Sequence, residues 1–270
     1  MQNVPNLHFG AGAILRHPRR RGSGHYPCGV MRDRLLSKSV RRWIGLAFGL
    51  VGSASVWAEA GYYVVTPYST PGQLSVDLRY WTVDSRDRDA VLWPEAGLRY
   101  GVTSRWTTEL FVSFIGPTLR QQGVDSWNWQ NDWLLTQGQY SFDLALHTQL
   151  IHEPDEGNLI EFGPVWQTEF GRLQINANLF FERALSEPDG TEAKYQWQVL
   201  GRLRPGVRWG VQGFGELGRL GHSEDPHSDR LGPVLKLGLG EKAQLQAAYL
   251  WGRVYGRRAE MFSAQFLYSF

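Results

Sequence analysis

Cysteine is almost absent: the 270 residues hold one, Cys28. A lone thiol excludes an internal disulfide framework and a thiolate metal site. Long apolar runs are scarce as well. Only residues 43–58 (WIGLAFGLVGSASVWA) form one, and Gly and Ser interrupt it well short of the ~20 apolar residues that a spanning helix needs. No heptad, nucleotide-binding loop or sustained helical period appears. What is abundant is glycine (31) and aromatic residues (12 Trp, 11 Tyr, 13 Phe), under a negative mean hydropathy. That average is too polar for a bundle of transmembrane helices. Barrel walls give it naturally, because each strand is apolar on only one side.

The apolar run follows Arg32, Arg34, Lys38, Arg41 and Arg42 and ends in small residues. Basic region, short apolar region and small-residue exit make residues 31–58 a secretory signal peptide, with cleavage after Ala58 or Ala60. A membrane anchor is the alternative. Residues 1–30, with Arg19, Arg20 and Arg21 among scattered Gly and Pro, have no period and are expected to be a non-native or disordered extension ahead of a true start at Met31. Cleavage after Ala58 leaves 19 basic against 25 acidic residues, a formal charge of −6, and no cysteine. The basic balance belongs to the removed part, so nucleic acid is not an expected partner.

After a periplasmic lead over residues 59–72, alternating segments recur about every 17 residues. They predict strands at 73–84, 91–102, 106–115, 126–137, 141–152, 158–170, 172–184, 194–204, 207–219, 230–240, 243–255 and 259–270. The expected connections alternate between tight, such as Pro205-Gly206, and longer and charged, such as 116–125 and 220–229. Because successive side chains of a strand point to opposite faces, each segment has an apolar and a polar side. The apolar side includes Leu74, Val76, Leu78 and Tyr80, then Trp106, Leu110, Val112 and Phe114, and later Leu231, Leu235, Leu237 and Leu239. Trp106, Trp127, Trp129, Trp209, Tyr249 and Trp251 share that parity near strand ends, as interfacial anchors do. A soluble antiparallel sandwich also alternates. It would not leave its last strand with Phe262, Phe266, Tyr268 and Phe270 on one open face.

Signal peptide, alternating strands and a C-terminal Phe270 preceded by aromatics on its parity together resemble the bacterial outer-membrane β-barrel class, over residues 59–270. The resemblance implies an all-β fold, a transmembrane antiparallel up-and-down barrel of about twelve strands over 73–270. It also implies residence in the bacterial outer membrane, contact with its lipid and lipopolysaccharide, and Phe262, Phe266, Tyr268 and Phe270 as a signal for the barrel-assembly machinery. No narrower family is matched.

The polar side supplies the candidate site. Asp77, Arg79, Glu95, Arg99, Glu109, Asp132, Asp143, His147, Glu161, Glu169, Glu182, Arg202, Arg208, Glu216 and Lys236 are expected to line a lumen. Acids dominate the second to seventh strands. Lys194, Arg202, Arg204, Arg208, Arg230 and Lys236 collect later, so opposite walls are expected to carry opposite charge across the path of a small polar solute. The same charges could instead pair within a plugged lumen. Gly97, Gly163, Gly210, Gly218, Gly232 and Gly238, read as inward, are expected to leave room. Catalysis has a weaker basis: His147 with Asp143 on the same face, and Ser223 in Gly221-His222-Ser223, lack a nucleophile motif. His222, Glu224, Asp225, His227 and Asp229, or His152, Glu153, Asp155 and Glu156, lack the spacing of a metal loop and read as solvated acidic loops. No cofactor and no metal are expected. The function these residues point to is a porin-like channel for small polar solutes. A closed-lumen barrel serving binding or envelope structure is the alternative, and an outer-membrane hydrolase ranks third.

Overall fold

The alternating segments fold into twelve antiparallel strands. The structure, a computed structural model, describes residues 63–85, 88–155, 157–186, 190–221, 227–254 and 256–270. The strands are β1 (Leu74–Ser85), β2 (Arg88–Thr103), β3 (Trp106–Thr118), β4 (Gln121–Leu134), β5 (Phe142–Glu153), β6 (Gly157–Phe170), β7 (Leu173–Ala184), β8 (Glu192–Arg204), β9 (Val207–Arg219), β10 (Ser228–Leu239), β11 (Ala243–Val254) and β12 (Arg257–Ser269). Each pairs with its neighbours in sequence, and β12 closes on β1 from Ser75↔Ser269 to Ser85↔Ala259. Closure removes the sandwich alternative and leaves no sheet edge. The expected extension, signal peptide and Cys28 lie outside the described residues.

The parity holds around the wall. Leu78, Leu98, Leu110, Leu150, Leu173 and Leu231 are exposed on the outer face, Leu110 to 62 %. Asp77, Glu95, Glu109, Asp132, Glu161 and Glu182 are buried on the inner one. Apolar side chains presented outward all round a closed barrel suit acyl chains, since an outward charge at mid-depth costs about 2–4 kcal/mol. Trp127, Trp129, Trp209 and Trp251 are also exposed outward. Two indoles near strand ends satisfy outer-face polar groups: Trp106 Nε1 donates to Asn131 Oδ1 (3.1 Å), and Trp129 Nε1 to Thr108 Oγ1 (2.9 Å). On the same face the rings of Trp197 and Tyr195 lie over Gly213 and Gly215, covering backbone that carries no side chain.

Three expectations are corrected. First, the loop expected at 116–125 is mostly strand: β3 runs to Thr118 and β4 starts at Gln121. Register shifts at Ser113/Phe114 and Ile115/Thr118 absorb Gly116, Pro117 and Gly123 into a projecting hairpin. The tight turn expected at 138–140 is correspondingly longer, spanning 135–141, so loop lengths do not alternate strictly. Second, four of the inward glycines leave no room. A Cβ at Gly163, Gly210 or Gly232 would fall within 2 Å of a carbonyl oxygen of the adjacent strand, and one at Gly97 would fall 2.7 Å from Phe111 Cβ. At Gly163-Pro164 and Gly232-Pro233 the pairing with β7 and β11 lapses, because proline donates no hydrogen bond and the wall bends there. Gly238 does have space. Gly218 is required instead by its left-handed φ of 74°. Third, the lead, expected only as a periplasmic segment over 59–72, places Tyr63, Val64 and Val65 inside the lumen, where they are buried.

Gly163→Ala therefore tests the bend. Its methyl would meet Leu179 O at 1.9 Å, and the variant is expected to lose most of its heat-resistant, fast-migrating form on unheated gels. Gly123→Ala, with nothing within 4 Å, is expected to keep it.

Candidate functional site: the barrel lumen

The inner wall holds more apolar surface than its charged residues suggested. Trp81, Trp93, Leu200, Phe214, Val234, Ala248, Leu250 and Met261 form a collar that closes on Val64 of the lead. Tyr63 and Val65 pack with Ala145, Val165 and Phe180 across the lumen. All the wall positions in these two groups have inward parity, so the signal was present in the alternation. It was masked because inward positions are expected to be polar.

Charged groups occupy the rest, in local clusters rather than on opposed walls. Arg79 sits among three carboxylates. Its Nε and Nη2 donate to Asp77 Oδ2 (3.1 and 2.8 Å), Nη1 to Glu95 Oε2 (3.4 Å), and Nη2 also to Glu109 Oε1. The guanidinium lies 3.6 Å from the ring centroid of Tyr63 and 4.8 Å from that of Phe111. Ser113 donates to Glu95, and Gln265 donates to both oxygens of Asp77. The surrounding donors satisfy most of what burial would otherwise leave bare.

A second cluster spans β4 to β8. His147 Nδ1 is 2.7 Å from Asp132 Oδ1, and Glu161 Oε1 lies 3.3 Å from Nε2. Lys194 Nζ contacts Glu182 Oε2 at 2.8 Å and Glu161 Oε2 at 3.7 Å. Phe180 packs on the imidazole, with ring centroids 4.5 Å apart. The cluster reaches the lead through Gln130, which donates to Asp132 Oδ2 (2.8 Å) and accepts from the Tyr63 hydroxyl. Asp143, the acid expected beside His147, instead accepts from Tyr68 at 2.7 Å. Burial and that hydrogen bond push the Tyr68 hydroxyl up to about 12, so it stays protonated at neutral pH. His147 is thus held between two carboxylates, which is no arrangement for activating a serine.

The remaining sites are placed as follows. Glu169 is shared by Arg208 (3.1 Å) and Arg202 (3.7 Å) near the short-turn end. Glu216 accepts from Arg230 (3.0 Å) near the other end. Arg99 and Lys236 form no ion pair among the described residues, and both line a polar cavity of about 290 Å³. Stagger between strands explains the difference from the expected transverse field. Cross-strand neighbours run Arg99, Glu109, Gln130, Gln149, Glu161, Glu182 from β2 to β7, and Arg79, Gln265, Gln246, Lys236, Arg208, Arg202 through β1, β12, β11, β10, β9 and β8. Such rows climb the wall, so strand number alone does not give a residue's level.

The glutamines and asparagines of the inner face, and the lead itself, escaped the charge-based reading. Val65 N donates to Gln196 Oε1 (3.3 Å), and Asn178 Nδ2 donates to Val65 O (3.0 Å). Among the described residues no cluster of three or more His, Cys, Asp or Glu is placed to hold a metal ion. Residues 222–226 of one candidate loop, and Glu156 of the other, lie outside the described residues.

No protein-family model matches the chain, and no curated protein matches it in sequence. Among solved structures the chain is similar to the NanC porin, at a TM-score of 0.54 and 8% identity over 72% of this chain and 98% of that one. It is equally similar to an outer-membrane channel of Pseudomonas putida F1, at a TM-score of 0.54 and 11% identity over 76% of this chain and 98% of that one. At such identities the likeness is one of fold: a closed twelve-stranded barrel of the kind found in bacterial outer-membrane proteins.

Proposed function

We propose that this barrel is a porin-like channel for small polar solutes in the bacterial outer membrane, held shut at rest by its own N-terminal lead. The observation that carries the reading is the lead's place: Tyr63, Val64 and Val65 are threaded into the lumen of a barrel whose outer face is apolar. A wall that served structure alone would not need a separate segment to fill it. In the same reading Phe262, Phe266 and Tyr268, outward on β12 beside the closing seam, and Phe270 directly after it serve as the assembly signal. The charges that line the closed lumen become the selective surface once the lead withdraws.

Planar-bilayer recording of the purified protein tests this reading. The wild type is expected to give infrequent, discrete conductance steps. Complete silence, in the wild type and in variants whose lead is displaced, would decide for a permanently closed barrel. The observation on that rival's side is the collar, since Leu200 and Leu250 are fully buried and Met261 nearly so.

A further inference from the structure

Two cations with no carboxylate at ion-pair distance among the described residues line one cavity. Arg99 of β2 and Lys236 of β10 both line the cavity at the short-turn end of the lumen. Glu109, the cross-strand neighbour of Arg99, is bonded to Arg79. The cross-strand neighbour of Lys236 is a third cation, Arg208, already engaged by Glu169. The nearby Asp77 is bonded to Arg79 and Gln265. Asp77, Glu95 and Glu109 already share the one guanidinium of Arg79, and among the described residues neither Arg99 nor Lys236 has a carboxylate at ion-pair distance, so both cations face the cavity unbridged. The rest of its wall carries no charge and is mostly polar, with the carboxamides of Gln130, Gln198, Gln244, Gln246 and Gln265 beside Val64, Val65 and Leu267.

We propose that this cavity binds a small hydroxylated dicarboxylate. Two fixed cations ask for two negative charges, because an anion between them relieves their mutual repulsion and regains what burial costs each. Carboxamides can donate to carboxylate oxygens and also exchange hydrogen bonds with hydroxyls. A volume of about 290 Å³ admits a four-carbon diacid with its bound water. The site stands on its own geometry; its role as the solute step of transport rests on the channel reading above.

Calorimetric titration of the full chain in detergent, in a low-chloride buffer, separates the two. L-tartrate is expected to bind saturably at one site per chain, and succinate several-fold more weakly. Threitol, with the same carbon skeleton and no charge, and 1,4-diaminobutane are expected to give no binding heat. Lys236→Gln and Arg99→Gln should each weaken tartrate at least tenfold, while Lys242→Gln in the nearby turn should leave it unchanged. Absence of tartrate binding, equal binding of threitol, or a Lys236→Gln protein that binds as the wild type would each overturn the proposal. Should either lumen variant fail to assemble, the ligand series on the wild type decides alone. Tartrate binding without conductance would keep this site and remove the channel; conductance steps without tartrate binding would do the reverse.

Discussion

A chain carrying Tyr63→Gly, Val64→Ser and Val65→Gly together is expected to conduct in planar bilayers with sustained steps, at an open probability at least roughly tenfold that of the wild type, because only a vacated lumen of this strand number can hold continuous water. Each replaced side chain closes a different part of the passage. Val64 packs in one cluster with Trp81, Trp93, Leu200, Phe214, Val234, Leu250 and Met261 of the collar. Val65 packs with Val165 and Phe180. Tyr63 lies against Arg79 and ties to β4 through Gln130. Burying three such side chains stabilises the inserted lead by several kcal/mol, at about 1.5–3 kcal/mol for a fully buried Val. That is enough to keep the unmodified chain shut nearly all the time. The strands of the wall pair with one another and none of them pairs with residues 63–65. The heat-resistant gel form is therefore expected to survive the triple substitution. A folded triple variant as silent as the wild type would show that the collar closes the passage without the lead.

Much of the wall was legible in the chain because a barrel strand repeats every second residue and membrane depth enforces the repeat. Expected and observed bounds coincide for β9 (Val207–Arg219) and differ by a residue or two for most of the others. The exception is instructive. Gly116, Pro117 and Gly123 carry turn chemistry, yet the β3–β4 hairpin runs through them on bulges, and bulge positions have no period to read. The parity of every candidate charge was also legible. Which charges meet was not, because the partners come from staggered strands: Glu109 reaches Arg79 across thirty residues of chain. The place of the lead inside the lumen was not legible for a different reason. Tyr63-Val64-Val65 has neither alternation nor strand length, and an extended segment buried inside a barrel satisfies its backbone through inner-face amides such as Asn178 and Gln196, which leave no local signature.

The same clustering identifies the interior position with the largest expected effect on stability. Arg79→Met keeps roughly the side-chain volume and removes the charge that Asp77, Glu95 and Glu109 share. Three buried carboxylates would then face one another with little to offset them. Breaking a buried ion pair from one side costs about 3–5 kcal/mol, and here the loss falls at the seam where β1 meets both β2 and β12. Denaturant unfolding in detergent micelles is expected to show a loss of that size, or no recoverable folded barrel at all. Adding Asp77→Asn, Glu95→Gln and Glu109→Gln to Arg79→Met is expected to recover most of the loss, because amides of the same shape bond to one another without a central cation. The partial combination of Arg79→Met with Glu109→Gln should fall between the two, since contacts within one network are not additive. If Arg79→Met alone unfolds at the wild-type denaturant concentration, the guanidinium is not what holds these acids in the wall. The lumen would then already reach enough water to solvate them, and the closed passage described above would have to be narrower in extent than its buried side chains indicate.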